Sequence, residues 1–335
     1  MVASQNVSRC QTANDFSVSG RIIHPRSIRT INDNMTWLWI PLTIGAAFLQ
    51  NVRSSLQKHL KSELGTTGAT FIRFGYGFPF AILYLLALVT VFNFDIPSLN
   101  TTFLSFVVTG GIAQIAGTAF LLTLFDKRNF AVGTAYSKTE TVQAAVFAIM
   151  FLGETISTTA TIGILISLVG VIAISAARGA ASVASIAKSW TARPALIGIA
   201  SGASFGIAAV SYRGASLSLD GDGFLVQAAF TLAFVLVLQT LVMAIYMIIR
   251  DPGEIRRVIA AWRLASLVGA SGALGSIGWF TAMTIQNAAL VRALGQIELV
   301  FTIGVSVLIF REKIVRLELA GIALVIAGII ILVLR

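Results

Sequence analysis

From Thr36 to its end the chain is a succession of long apolar runs with almost no charge inside them. Uncharged stretches cover residues 74–94, 96–125, 155–177, 194–212, 223–249 and 264–291. A helix needs about 20 apolar residues to cross a bilayer. In lipid every backbone N–H and C=O must be paired within its own segment, so each run is predicted to be helical. Composition agrees: 56% of residues are hydrophobic and 11% are charged, where a soluble domain carries about 25% charge. Together with a mean hydropathy of +0.88, this excludes an ordinary globular enzyme, a disordered protein and a nucleic-acid binder. Cys10 is a single cysteine and His24 and His59 are the two histidines. No internal disulfide, metal centre or cofactor is therefore expected.

The runs predict ten spanning helices, at about 36–56, 67–92, 102–125, 130–152, 158–177, 194–215, 223–249, 263–286, 289–310 and 316–334. Pro41 falls in the first turn of the first span and costs little there. Pro79 lies inside the second and should kink it. Residues 1–34 are polar and contain four arginines but no apolar core of signal-peptide length, so they read as a disordered tail. Met35, directly before the first span, is a candidate translation start.

Sliding the chain by 158 residues lays 111–174 on 269–332 with 14 identities in 64 positions. Two apolar segments share many residues by chance, so the kinds of residue that coincide matter more than the count. Glu140 falls on Glu298, Glu154 on Glu312 and Asn129 on Asn287. Glycines coincide at 111/269, 117/275, 163/321 and 170/328. The expected fold is thus an all-α polytopic membrane protein of two five-helix repeats, 35–177 and 194–335, joined by a linker at 178–193. An odd number of helices per repeat makes the second copy enter the membrane from the opposite side. Such an inverted-topology repeat is common among secondary transporters.

Each repeat closes as a helix, then Gly-Glu-Thr-Ile (153–156) or Arg-Glu-Lys-Ile (311–314), then a Gly-rich helix. A carboxylate precedes that glutamate by fourteen residues, in Thr139-Glu140-Thr141 and Ile297-Glu298-Leu299. This pattern resembles the EamA family of the drug/metabolite transporter superfamily over residues 36–334. The resemblance implies a multi-pass protein of the plasma (inner) membrane that moves small molecules, most often by amino-acid, metabolite or drug efflux. The family's frequent proline after the mid-helix glutamate is replaced here by Thr141 and Leu299, so no helix break is assumed at that point.

Charge at the bilayer centre costs about 2.5–3.5 kcal/mol on insertion scales, which makes it a mark of function. By the predicted spans, Glu140 and Glu298 are the acidic residues near mid-membrane, and pseudo-symmetry turns them toward each other. They read as a substrate or proton site; the alternative is a structural pair gluing helices together. A buried carboxylate with a raised pKa can carry a proton, so proton coupling is open. Tyr136 and Gln143 share the face of Glu140 at i−4 and i+3, and Thr302 shares that of Glu298 at i+4. Lys138 either neutralises Glu298, binds an anionic substrate group or snorkels between helices; Gln296 is its repeat counterpart. Arg73 reads either as a headgroup-reaching arginine or as a cavity cation, the latter implied by a basic residue frequent there in the family. Arg292 is expected to reach the interface. Gln50, Asn51 and Tyr76 are weaker lining candidates. Glu154 and Glu312 read as structural, capping helices or pairing with loop cations such as Lys313.

Loops after the odd-numbered spans carry fifteen Lys and Arg residues, Arg53 among them, against seven for the termini and the other loops, Arg213 and Arg292 included. The positive-inside rule then puts the odd loops in the cytoplasm and both termini outside. No phosphate-binding Gly-rich loop occurs, so a secondary carrier is expected, its cavity lined by spans 1–4 and 6–9. Its partners are a small-molecule substrate and the bilayer; its oligomeric state is unassigned. The rival within transport is an exchanger of phosphorylated or nucleotide-linked sugars, whose phosphates would need Lys138, Arg73 and Arg292. An intramembrane enzyme is not expected, because no Ser–His pair, aspartate pair or His-Glu-x-x-His motif lies in the spans. A channel would show rings of charge or carbonyl filters, which two glutamates do not suggest.

Overall fold

The structure, a computed structural model, describes residues 37–60, 63–124, 130–178, 188–221, 223–308, 311 and 314–334. The tail at 1–34 and most of the linker lie outside the described residues, as do Glu312 and Lys313. Every regular element among the described residues is helical. The first repeat holds α1 (Trp39–Leu60), α2 (Thr66–Gly75), α3 (Phe78–Thr90), α4 (Thr101–Leu124), α5 (Phe130–Ser137), α6 (Glu140–Leu152) and α7 (Thr158–Arg178). The second holds α8 (Arg193–Ser218), α9 (Phe224–Arg250), α10 (Pro252–Ala260), α11 (Trp262–Ile285), α12 (Ala288–Leu294), α13 (Glu298–Leu308) and α14 (Arg316–Val333).

Among the described residues, seven helical stretches are long and apolar enough to cross a membrane: α2 with α3, α4, α7, α8, α9, α11 and α14. Their outward faces are greasy, with Leu83, Leu241, Ile245, Ile248 and Ile326 exposed. Water would not tolerate such a surface on this scale, and lipid does. The other predicted spans, α1, α5–α6 and α12–α13, are interrupted or carry polar side chains. These same three supply most of the charged groups described below.

The interruptions have local causes. α2 and α3 part at Tyr76–Gly77, just ahead of Pro79, whose ring cannot continue a helical ladder. A Cβ on Gly77 would lie 2.7 Å from the Arg73 carbonyl oxygen, so the close turn there needs glycine. The fourth span breaks at Lys138–Thr139, against the sequence expectation. The N–H groups of Lys138 and Thr139 reach back three residues to Ala135 and Tyr136, and the Thr139 hydroxyl donates to the same Tyr136 carbonyl at 2.6 Å. A hydroxyl that competes for backbone acceptors has the effect here that proline has elsewhere. The ninth span breaks correspondingly into a 3-10 turn at Gly295–Ile297. As a result Glu140 and Glu298 are the first residues of α6 and α13, where a carboxylate meets the positive end of the helix dipole.

Packing follows a two-fold pattern. α1 packs on α11 as α4 packs on α8, while α7 packs on α14 and the α2–α3 pair on α9, each on its own repeat counterpart; α6 packs on α12, the opposite half of the equivalent span. The α7–α14 crossing reveals the direction. A Cβ on Gly163 would lie 2.8 Å from the Gly328 carbonyl oxygen, and one on Gly170 would lie 2.6 Å from that of Gly321. The early glycine of one helix meets the late glycine of the other, so these equivalent helices run antiparallel. Two equivalent helices that touch antiparallel are related by an axis perpendicular to them. Backbones this close rely on glycine, the small-residue packing that membranes favour.

The short helix α10 falls outside the predicted spans. Pro252 takes its first position, where the missing N–H of proline removes no helical hydrogen bond. Glu254 is fully buried; it accepts from the Gly65 N–H at 2.5 Å and pairs with Arg257, tying α10 to the start of α2.

Candidate functional site

A cavity of about 320 Å³ lies between the repeats. Its polar wall is built from α1, α2, the α5–α6 break, α12 and α13. The predicted residues Glu140, Glu298, Lys138, Arg73 and Thr302 all line it. Its apolar wall includes Phe205, Trp279, Phe280 and Met283.

At the cavity, two ion pairs cross between the repeats. Lys138, in the first, pairs with Glu298, in the second. Arg292, in the second, pairs with Glu140, in the first. The sequence points Arg292 to the interface; the break before α13 places it instead beside Glu140, stacked 4.8 Å from the centroid of the Trp279 ring. The acids are repeat equivalents but their cations are not, since Gln296 stands where Lys138 would recur. Glu298 is further held by Gln50 Nε2, which donates to its Oε2 at 2.6 Å. Asn51 Nδ2 donates to the Glu298 carbonyl at 3.0 Å and to Thr302 Oγ1 at 2.7 Å. The glutamates sit in a low-dielectric wall, where an isolated charge would be costly and a paired, hydrogen-bonded one is held in place.

Three predicted residues do not line the cavity. Tyr136 belongs to α5, and the break at Lys138–Thr139 cancels the i−4 relation that put it on the face of Glu140; it lies by Gly198 of α8. Gln143 folds back to donate to Thr139 Oγ1 at 3.0 Å. Gln296 is buried in the 3-10 turn, its Oε1 without a hydrogen-bond partner among the described residues. Tyr76, a weaker candidate, donates instead to the Val258 carbonyl at 3.1 Å. Span 7 is among those expected to line the cavity and does not, because Gln239 of α9 turns to Gly111 O and Gln114 Oε1, at 3.1 and 2.9 Å.

Arg53 escapes the sequence reading. Counted there with the loop after the first span, it is instead in α1, 8% exposed, and lines the cavity. The signal is legible: Gln50, Arg53 and Gln57 recur at spacings of three and four, a polar stripe on one helix face. Arg73 NH1 donates to Thr118 Oγ1 at 3.0 Å. Arg213, also counted with a loop, lies in α8 and pairs with Glu154; its NH1 reaches the carbonyls of Met283 and Gln286 as well, at 2.6 and 2.7 Å. Asn287 donates to the other Glu154 oxygen. Glu154 thus ties α6 to α8 and to the end of α11, with an arginine inside helix α8 as partner in place of a loop cation.

The sequence profile of the EamA-like transporter family matches residues 37–176 and again 193–334. The chain belongs to the EamA-like transporter family. One match covers the helices of each repeat, as expected of an EamA-like protein in the drug/metabolite transporter superfamily. A solved chain described only as "Crystal structure of protein" is similar to this EamA-like fold. The two share a TM-score of 0.66 and 15% identity over 90% of this chain and 96% of that one, a likeness of fold alone. No curated protein matches the sequence.

Proposed function

We propose that the protein is a secondary carrier of small metabolites in the plasma (inner) membrane. In this reading α1, α5–α6 and α12–α13 also span, giving ten spans in two inverted repeats that rock about the shared cavity. The observation that carries the proposal is the crossed pairing of Lys138 with Glu298 and of Arg292 with Glu140 in the wall of a cavity between the repeats. Pairs that bridge two bodies can be exchanged for contacts with cargo as those bodies move. Intramembrane ionisable groups facing a cavity are the usual mark of a transport pathway. Broken helices at a repeat interface support the same reading, because irregular backbone at membrane depth is tolerated where it lines a cavity.

Orientation follows from charge. With Arg53 removed from one side and Arg213 and Arg292 from the other, fourteen basic residues remain against five. The loops after spans 1, 3, 5, 7 and 9 are then cytoplasmic and both termini external.

Counterflow in proteoliposomes over a metabolite panel tests the proposal. A substrate should exchange with the wild type, and Glu140→Gln and Glu298→Gln should each abolish exchange while the protein stays folded. Exchange unaffected by both substitutions would sink the site assignment.

A further inference from the structure

The cavity wall holds four cations, Arg53, Arg73, Lys138 and Arg292, but two acids, Glu140 and Glu298. Lys138 and Arg292 are neutralised by Glu298 and Glu140. Arg53 and Arg73 have no carboxylate within ion-pair distance among the described residues. Arg53 Nε is buried with no hydrogen-bond partner there, and its NH2 has a long 3.5 Å contact with Ser54 Oγ. Arg73 donates to Thr118 and lies 5.4 Å from the Phe74 ring centroid. Each guanidinium has five N–H donors, so most of the donors on both have no protein acceptor among the described residues. Two uncompensated charges at membrane depth are expensive unless something anionic completes them.

We infer that the cavity recognises a small organic dianion, a dicarboxylate or a phosphate monoester, docked on Arg53 and Arg73. The inference rests on the carrier reading above and names the cargo's chemistry. A surplus of two positive charges is matched by two negative ones. The planar guanidinium fork binds carboxylate and phosphate oxygens in pairs. The surplus is one-sided: 158 residues beyond Arg53 and Arg73 stand Ser211 and Thr231. The anion is therefore held by the first repeat, with the carbon skeleton against Trp279 and Phe280. A volume of about 320 Å³ is at the small end for ligand pockets.

The test is thermal stabilisation of the purified full-length protein by succinate, glycerol 3-phosphate, choline and glucose. Succinate or glycerol 3-phosphate should raise the melting temperature saturably, and which of the two does so separates dicarboxylate from phosphate recognition. Arg53→Gln and Arg73→Gln should each raise the concentration needed by about tenfold or more. Arg53→Lys and Arg73→Lys, which keep the charge and lose the fork, should retain part of the response and control for folding. A response to neither dianion, an equal response in wild type and both glutamine variants, or a response to choline or glucose alone would overturn the inference. Counterflow separates this outcome from that of the carrier reading. Choline or glucose exchange that needs Glu140 and Glu298 would keep the carrier and sink the dianion. Dianion stabilisation with no exchange of any probe would keep the dianion and sink the carrier.

Discussion

Two ion-paired clusters join the repeats, and they differ in how completely they are satisfied. At the end of α6, Glu154 receives Arg213 on one oxygen and Asn287 on the other, and NH1 of the arginine also reaches backbone carbonyls at the end of α11. In the cavity, Arg292 Nε and Arg53 Nε have no partner among the described residues, and two of four cations have no acid. A filled polar network fixes structure, whereas a partly filled one beside open space is poised to accept something else. In the carrier reading proposed above, the first cluster is a strut and the second a binding surface, though both would read alike in a list of buried charges.

The largest test of that contrast is Arg213→Leu. It leaves Glu154 with Asn287 as its remaining side-chain partner, and removal of one partner from a buried pair costs about 3–5 kcal/mol. Melting of the purified protein should fall further than for any single cavity substitution; a smaller fall would erase the distinction. Glu298→Gln should behave differently. Its amide can still meet Gln50, and Lys138 borders the cavity at 18% side-chain exposure, so the stability loss should be about 1–2 kcal/mol while counterflow disappears. A double-mutant cycle on Glu140→Gln and Arg292→Gln should give a coupling of about 0.5–3 kcal/mol by thermal or chemical unfolding. Zero coupling would mean that the crossed pair holds nothing together. The smallest effect belongs to Asn51→Ala, which removes two interhelical bonds, to the Glu298 carbonyl and to Thr302, and at about 0.6 kcal/mol for each should cost about 1 kcal/mol. A loss of several kcal/mol there would move Asn51 from the cavity wall to the strut class.

Much of this is legible in one dimension. The kink at Pro79, the paired glutamates and the repeated glycines are local identities at fixed spacing. Several of the differences share a cause: they come from treating a span as one unbroken helix or a charge as belonging to a loop. Tyr136 loses its place beside Glu140 because Thr139 redirects the backbone, and hydroxyl competition for a carbonyl leaves a fainter mark than proline. Arg53 and Arg213 stand near span ends in the sequence, yet helices α1 and α8 are longer than the minimum and carry both arginines inside. Of the strut, the sequence marks Glu154 as structural but not its partner Arg213, whose acceptors include main-chain carbonyls, which no residue type distinguishes.

The sequence alone determined the apolar lengths, the doubling of the chain and the acids that recur in each copy, because these depend only on residue type and spacing. Tertiary structure decided who meets whom. Gly163 recurs as Gly321 but packs on Gly328, and Glu140 recurs as Glu298 but is neutralised by a cation that has no counterpart. The physical reason is the two-fold axis perpendicular to the helices: it sets the copies antiparallel, so contacts cross between opposite ends, and the acids meet different partners because the sequence repeats neither Lys138 nor Arg292.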